Sequence, residues 1–191
     1  AVKLRIIDSN PFDSVENVRI PERDPVYLTK EDFERLFHVI DDWRIRAIVV
    51  LAICTSMRVS EILSLRWEDI DLQKGFIRLS NRNGFTTKNR RRRLVPLNTT
   101  ARQFLLAYPK TADYVFVSRR NTPFTRQSVS RMVKEYLRRA GLPEEFHFHS
   151  LRHSAATWMS QSNVPIPNIS AIMGHSNIAT TMIYAHTIPA Q

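Results

Sequence analysis

The chain has 191 residues, a formal net charge of +10, a single cysteine and 43% hydrophobic residues. This length is enough to bury a hydrophobic core, and a lone cysteine excludes an internal disulfide framework, so we expect a cytoplasmic protein that folds without cross-links. No apolar run reaches the roughly 18 to 20 residues that cross a bilayer, which excludes a transmembrane helix and argues against a membrane partner.

Positive charge is concentrated in the C-terminal part of the sequence. Residues 1–71 carry 10 basic and 14 acidic side chains, whereas residues 72–191 carry 18 basic and 4 acidic ones. Lysine and arginine that neutralise phosphates release condensed counterions, so this charge favours a nucleic-acid backbone as partner. The alternative is a solvated basic face. The candidate contacts are the consecutive arginines Arg90, Arg91, Arg92 and Arg93.

The first predicted elements are an arm and a set of helices. Residues 1–25 are rich in proline and charge and lack sustained periodicity, which predicts an arm or linker ahead of a domain at 26–191. Thr29 precedes acidic residues and apolar residues at helical spacing, which predicts an N-capped amphipathic helix. The run WRIRAIVVLAICTSM is apolar nearly all round, which is typical of a buried central helix, and RVSEILSLRWEDID continues the helical pattern.

A hairpin and further helices follow. The short runs GFIRLS and RRLVPL flank the polar segment NRNGFTTKNR, which predicts two strands joined by a long basic turn. The predicted fold class is therefore mainly α with a small antiparallel β-sheet. Helices are expected at about 99–107, 125–140, 149–161, 167–173 and 177–186.

The segment HSLRH at residues 149–153 combines two histidines and an arginine. His149 and His153 are four residues apart, as are the histidines of an H-E-x-x-H zinc site. Ser150 stands where that motif has its general base, and no nearby cysteine or carboxylate cluster offers a third ligand, so we predict no metal. His149 and Arg152 can instead converge on an oxyanion. For His153, packing or capping is the simpler interpretation.

Other candidate residues are spread along the chain. Arg58 follows an apolar run, where an arginine is unfavourable unless it is paired or receives a ligand, and Glu61 is placed to orient it. A purely structural Arg58–Glu61 pair is the alternative. Lys88 lies in the predicted basic turn, His175 follows a glycine, and Tyr184 comes nine residues later. Arginines that neutralise phosphate oxygens and a tyrosine nucleophile could together transfer a phosphoryl group without a metal.

These residues resemble the catalytic domain of the tyrosine recombinase, or phage integrase, family over roughly residues 26–188. TSMRVSEILSLRWEDID is similar to the family's first-arginine box, and TTKNRRRRLVPL to its hairpin-lysine segment. HSLRHSAATWM is similar to its His-x-x-Arg box, and IMGHSNIATTMIYAH to its terminal His and Tyr box. Four motifs in the family's order make the resemblance specific, although Ser56 stands where the family commonly has glycine.

The resemblance implies a tyrosine recombinase catalytic-domain fold and a role for each motif residue. Arg58, His149 and Arg152 would surround the scissile phosphate, with His175 as a further hydrogen-bond donor. Tyr184 would attack to form a 3′-phosphotyrosine and release a 5′-hydroxyl. In addition, the resemblance implies the following roles: Lys88 as general acid, His149 as an aid to proton transfer at Tyr184, and Glu61 as a supporting acid.

The resemblance also implies partners. Family members act on double-stranded DNA as tetramers, so we expect a homo-tetramer at the nucleoid of a bacterial or phage-infected cell, with no cofactor. Members commonly carry an N-terminal core-binding domain, which is missing here, and residues 1–25 resemble the linker from it. Two alternatives remain open: a type IB topoisomerase and a non-enzymatic basic DNA-binding module. The complete set of six catalytic-type residues argues against the non-enzymatic module. A type IB topoisomerase uses a similar residue set, and the compact motifs favour the recombinase over it.

Overall fold

The computed structural model describes residues 25–80 and 92–185. Helices dominate these ranges, and the three strands form one antiparallel sheet in the order β1-β2-β3. This confirms the predicted fold class. The elements are α1 (Lys30–Val39), α2 (Trp43–Thr55), α3 (Val59–Leu63), β1 (Ile70–Asp71), β2 (Phe76–Leu79), β3 (Arg93–Pro96), α4 (Thr99–Ala107), α5 (Arg126–Arg139), α6 (Phe148–Gln161), α7 (Ile166–Met173) and α8 (Ala179–Met182).

Several predicted features lie outside the described residues. These are the arm, except for Pro25, and the basic turn that carries Lys88, Arg90 and Arg91. None of the described helices is long and apolar enough to span a bilayer.

Helix α2 is the centre of the hydrophobic core. It contacts α3, α4, α5 and α6, and most of its side chains are buried, as its apolar sequence predicts. Asp42 caps its first turn by accepting a hydrogen bond from the backbone N–H of Arg44 at 2.9 Å. The helix ends at Ser56, which adopts a left-handed conformation with φ of 54°. The chain therefore turns sharply just before Arg58.

The start of α1 is fixed both locally and to α6. Thr29 and Asp32 form the predicted capping box, with each side chain accepting from the other's backbone N–H at 3.0 Å. Ser154 on α6 accepts a hydrogen bond from the backbone N–H of Leu28 at 2.7 Å, and the Trp158 indole donates to the Leu28 carbonyl at 3.1 Å. The chain therefore enters the domain against α6.

The sheet lies beside α7. Strands β2 and β3 pair with Ile77 opposite Val95 and Leu79 opposite Arg93, and the side chains of Ile77 and Val95 are buried. Strand β3 contacts α7, which brings the hairpin next to the C-terminal motifs. Strand β1 was not predicted, because a run of two residues is too short to show an alternating pattern.

The last helix is shorter than predicted. The sequence indicates a helix over 177–186, whereas α8 covers only Ala179–Met182 and Tyr184 lies in the turn after it. The buried Thr181 hydroxyl is hydrogen-bonded to the His175 ring at 2.8 Å. This contact joins α8 to the loop before it, and after α8 the Tyr184 carbonyl accepts a hydrogen bond from the Ser160 hydroxyl at 2.7 Å, so tertiary contacts oppose the local helical propensity of the segment.

Candidate active site

Five of the six predicted catalytic residues line one pocket of about 280 Å³. They come from distant parts of the chain: the start of α3, the helix α6, the loop after α7 and the turn after α8. Lys88 lies outside the described residues. The lining residues are Arg58, His149, Arg152, His153, Met173, His175, Ser176, Thr180, Ile183 and Tyr184.

Arg152 is the most deeply buried cation of the pocket, with only 2% of its surface exposed. Its guanidinium donates to the backbone carbonyl of Ser56 and, at 2.8 Å, to that of Met173. Burial, reinforced by the charge of Arg58, lowers its pKa to about 9. Within residues 25–80 and 92–185, no carboxylate lies within ion-pair distance of Arg152. A cation held in this way favours the entry of an anion.

Arg58 precedes α3 and forms the pair with Glu61 that the sequence predicts. Its Nη1 atom donates to Glu61 Oε1 at 3.1 Å, and its backbone N–H donates to Oε2 at 2.9 Å. The Glu61 side chain is 1% exposed. Burial alone raises the pKa of this carboxyl, but hydrogen bonds and positive charge from Arg93 and Arg58 outweigh burial and lower it. Glu61 is therefore a buried carboxylate that holds Arg58 at the pocket.

Arg93 does not lie where the basic run predicts. We predicted a DNA contact, but its Nη1 and Nη2 atoms donate to the two Glu61 oxygens at 2.9 and 2.8 Å. Its Nε atom donates to the Ile172 carbonyl at 3.1 Å, and its side chain is 12% exposed. Arg92 is exposed, and its contact with DNA stays a prediction. Consecutive arginines look alike in a sequence, so the buried member could not be distinguished from its neighbour.

Tyr184 is buried in the pocket wall, with 1% of its surface exposed. Its ring packs in a small apolar cluster with Met173, and the Ser160 hydroxyl donates to its backbone carbonyl at 2.7 Å. Burial raises the pKa of its phenol to about 12, against the opposing charge of Arg152. A nearby base or cation is therefore needed for this hydroxyl to act as a nucleophile.

The side chain on the Tyr184 hydroxyl is His153, whose Nδ1 atom lies 2.6 Å away. Sequence reasoning gave His153 a packing role and placed His149 near this proton. In the structure the His149 ring stacks edge-on against His153, with 4.7 Å between the ring centroids. No spacing in the sequence connects His153 to a tyrosine 31 residues later, so the contact could be found only from the fold.

The three pocket histidines are uncharged near neutral pH. Desolvation first, and then neighbouring positive charge, lowers the pKa of His149, His153 and His175 from 6.5 to about 4. Among the described residues, no three His, Cys, Asp or Glu side chains are arranged to hold a metal ion. The pocket thus combines two arginines, neutral imidazoles and a phenol, a donor set that suits an oxyanion.

Comparison with known proteins assigns this arrangement to a family. A family model described as "Phage integrase family" matches residues 26–190. The chain belongs to the phage integrase family. Tyrosine recombinase XerA of Pyrococcus furiosus is 38% identical over 178 residues, which cover 90% of this chain and 61% of that protein. The chain spans about three fifths of the length of the curated relatives it matches.

Two solved structures of phage integrase relatives share the fold. XerH site-specific recombinase bound to its difH substrate is 25% identical, with a TM-score of 0.72, over 86% of this chain and 51% of XerH. The catalytic domain of bacteriophage HP1 integrase is 26% identical, with a TM-score of 0.67, over 86% of this chain and 89% of that domain. The fold described above is therefore that of a tyrosine recombinase catalytic domain.

Proposed function

We propose that this chain is the catalytic domain of a site-specific DNA recombinase that cleaves and rejoins strands through a covalent 3′-phosphotyrosine. The observation that carries the proposal is the buried Arg152, which lies in one pocket with Arg58 and Tyr184. Membership of the phage integrase family supports it, as do the names of the relatives, which are tyrosine recombinases rather than topoisomerases.

In the proposed reaction, a DNA phosphate enters the pocket and its nonbridging oxygens receive hydrogen bonds from Arg58 and Arg152. Both guanidiniums are held in place beforehand, so they stabilise the negative charge of the transition state without further reorganisation. His175, fixed through its Nδ1 atom by Thr181, is the proposed further donor to these oxygens.

In the cleavage step one phosphorus–oxygen bond forms and another breaks. The Tyr184 oxygen forms a bond to phosphorus while the bond to the 5′ oxygen breaks. In the Nε2–H tautomer, His153 Nδ1 accepts the phenol proton, and Lys88 donates a proton to the leaving 5′ oxygen. The phosphodiester is replaced by a phosphotyrosine, so a 5′-hydroxyl can attack it and reseal the strand without ATP. His149 remains a proposed phosphate ligand.

Double-stranded DNA is the proposed substrate, which places the activity in the cytoplasm at the nucleoid. The excess of basic over acidic side chains in residues 72–191 supports it. Assembly into a homo-tetramer and the presence of an N-terminal core-binding domain in the whole protein are also proposals. The tetramer rests on membership of the phage integrase family, and the further domain on the fact that the chain spans about three fifths of the length of its relatives.

The test is covalent capture of DNA from a pool in which the protein selects its own target. The protein is incubated in EDTA with nicked suicide duplexes of randomised sequence, and protein–DNA adducts that survive SDS are recovered and sequenced. We expect adducts with the wild type and none with Tyr184→Phe, which retains the ring but has no hydroxyl. Adducts formed by Tyr184→Phe would contradict the assigned nucleophile, and adducts that need a divalent metal would contradict the arginine mechanism.

A further inference from the structure

We propose that Arg93 is a positioning residue of this active site, which holds Glu61 and the end of α7 and thereby places Arg58 and His175. The inference rests on the proposed function for its catalytic consequences. Its structural basis is a guanidinium whose three nitrogen atoms donate to Glu61 Oε1, Glu61 Oε2 and the Ile172 carbonyl, two residues that lie directly behind the pocket residues Arg58 and Met173.

The contact between Arg93 and Glu61 limits how many Arg58 N–H groups are bound to Glu61. A bidentate arginine–carboxylate pair is a strong and directional interaction. Arg93 occupies both Glu61 oxygens, whereas the Arg58 side chain approaches only Oε1, through Nη1. Glu61 therefore aligns the Arg58 guanidinium through one hydrogen bond and does not form a bidentate pair with it. Without Arg93, the buried carboxylate would have Arg58 as its principal counterion and would compete with a phosphate for it.

The second contact fixes the chain just before His175. The Arg93 Nε atom donates to the carbonyl of Ile172, and Arg152 donates to the next carbonyl, that of Met173, at 2.8 Å. Carbonyls in the last turn of a helix lack intrahelical partners and carry partial negative charge, so both cations are favourable there. Two arginines thus hold consecutive carbonyls at the C-terminal end of α7.

Gly174 makes this close approach possible. It has a φ of +70°, and a Cβ atom there would lie 2.7 Å from the Arg93 Nη1 atom and 2.8 Å from its Cζ. A side chain at 174 would therefore displace Arg93 as well as strain the backbone. Because His175 follows directly, the position of Arg93 and that of the histidine are fixed together.

Arg93 also connects the hairpin to the pocket. It is the first residue of β3 and stands five residues after Lys88 in the sequence. One side chain therefore joins the start of β3 to Glu61, the partner of Arg58, and to the Ile172 carbonyl, three residues before His175.

The alternative is that Arg93 contacts DNA directly, as the basic run predicts, and the two roles differ in kinetics. The variants are Arg93→Met and Arg93→Lys, which keeps the charge but cannot form the bidentate pair with Glu61. Arg102→Met, at an exposed position on α4, is the matched control.

With a DNA sequence recovered by covalent capture, DNA affinity and the rate of adduct formation at saturating protein are measured separately. We expect Arg93→Met to lower the rate on the order of 100-fold with affinity nearly unchanged. A weaker affinity with an unchanged saturated rate would overturn the proposal.

Dependence on Arg58 distinguishes positioning from general damage to the fold. In an Arg58→Ala background, Arg93→Met should lower the rate by clearly less than it does in the wild type, because the part of its effect that acts through Arg58 is already lost and only the part through His175 remains. Arg93→Lys should fold and should restore part of the lost rate. Fully additive losses in the double variant would contradict action through Arg58.

A second measurement needs no DNA and no catalysis. Orthovanadate binding to the free protein is titrated calorimetrically for the wild type, Arg93→Met and Gly174→Ala. We expect both variants to bind more weakly by at least several-fold, whereas Arg102→Met should bind as the wild type does. If the wild type forms no DNA adduct but anion affinity still depends on Arg93, the proposed function fails and the positioning role stands. Equal anion affinity in all four proteins would overturn the positioning role.

Discussion

The Nδ1 atom of His153 lies 2.6 Å from the hydroxyl of Tyr184, which is buried in the pocket wall. We predict that His153→Ala slows adduct formation on the order of 100-fold or more, because general-base assistance typically contributes this much and the pKa of the phenol is raised. The measurement is the single-turnover rate on a captured duplex. DNA affinity serves as the control and should not change. A rate within twofold of the wild type would contradict the assignment.

Acid should destabilise the fold through the pocket histidines. The folded pKa of His153 and of His175 is lowered from 6.5 to about 4, so between these pH values the unfolded chain binds more protons than the folded chain. Stability from these groups is therefore present above about pH 6.5 and is lost as the pH falls towards 4. We expect the melting temperature to fall over this window, and His175→Gln to reduce the slope. A melting temperature that rises on acidification would be inconsistent with neutral, desolvated rings.

Binding of a phosphate should reverse the shift in these histidines. An anion between Arg58 and Arg152 offsets the positive charge that, after burial, lowers the pKa of His175. We predict that the NMR titration midpoint of His175 moves upward when a short duplex or inorganic phosphate is added. The matched control is Arg152→Met, in which the added anion should have little effect. An unchanged midpoint in the wild type would show that His175 does not face the bound phosphate.

Arg152 should contribute more to anion binding than to the stability of the free protein. It is buried against two carbonyls, with Arg58 nearby, so an apolar replacement loses two hydrogen bonds but also removes the cost of burying a cation beside a like charge, and the two effects oppose each other. We predict that Arg152→Met melts close to the wild type without anions. With sulfate at about 100 times its dissociation constant, only the wild type should gain about 2.7 kcal/mol. Equal gains in both proteins would place the sulfate elsewhere.

The left-handed backbone conformation of Ser56 should lower the stability of the fold. Its φ is 54°, and its hydroxyl donates to the Arg152 carbonyl at 3.2 Å. Ser56→Gly relieves the backbone and loses the hydrogen bond, whereas Ser56→Ala loses the hydrogen bond without relief. We therefore expect the alanine variant to be less stable than the glycine variant by about 1 kcal/mol in chemical denaturation. The reverse order would show that the backbone conformation costs little.

Local sequence signals predicted most of the fold. The Thr29 capping box, the apolar run of α2 and the bounds of α4 follow from short-range patterns, which the structure confirms. Patterns of this kind do not describe contacts that only the folded chain makes. The segment around the shortened α8 is held by contacts of Thr181 with His175 and of the Tyr184 carbonyl with Ser160, and the two-residue strand β1 pairs with β2.

The same distinction separates the predicted members of the pocket from the unexpected ones. Arg58, Arg152 and Tyr184 stand in motifs whose residue types already indicate phosphate chemistry. His153 and Arg93 stand in the same motifs, but their roles depend on partners 31 and 32 residues away in sequence, Tyr184 and Glu61. Those pairings appear only in the folded chain, which brings α6 against the turn after α8 and the start of β3 against α3.

The hydrogen bonds that join Leu28 to α6 have a mechanical consequence. Ser154 and Trp158 are one helical turn apart and are hydrogen-bonded to the N–H and to the carbonyl of Leu28, respectively. His149, Arg152 and His153 stand on the same helix, within one or two turns of this anchor. Tension or rotation applied to the chain ahead of Leu28 is therefore transmitted directly to the helix that carries the pocket's buried cation, as well as along the chain to α1.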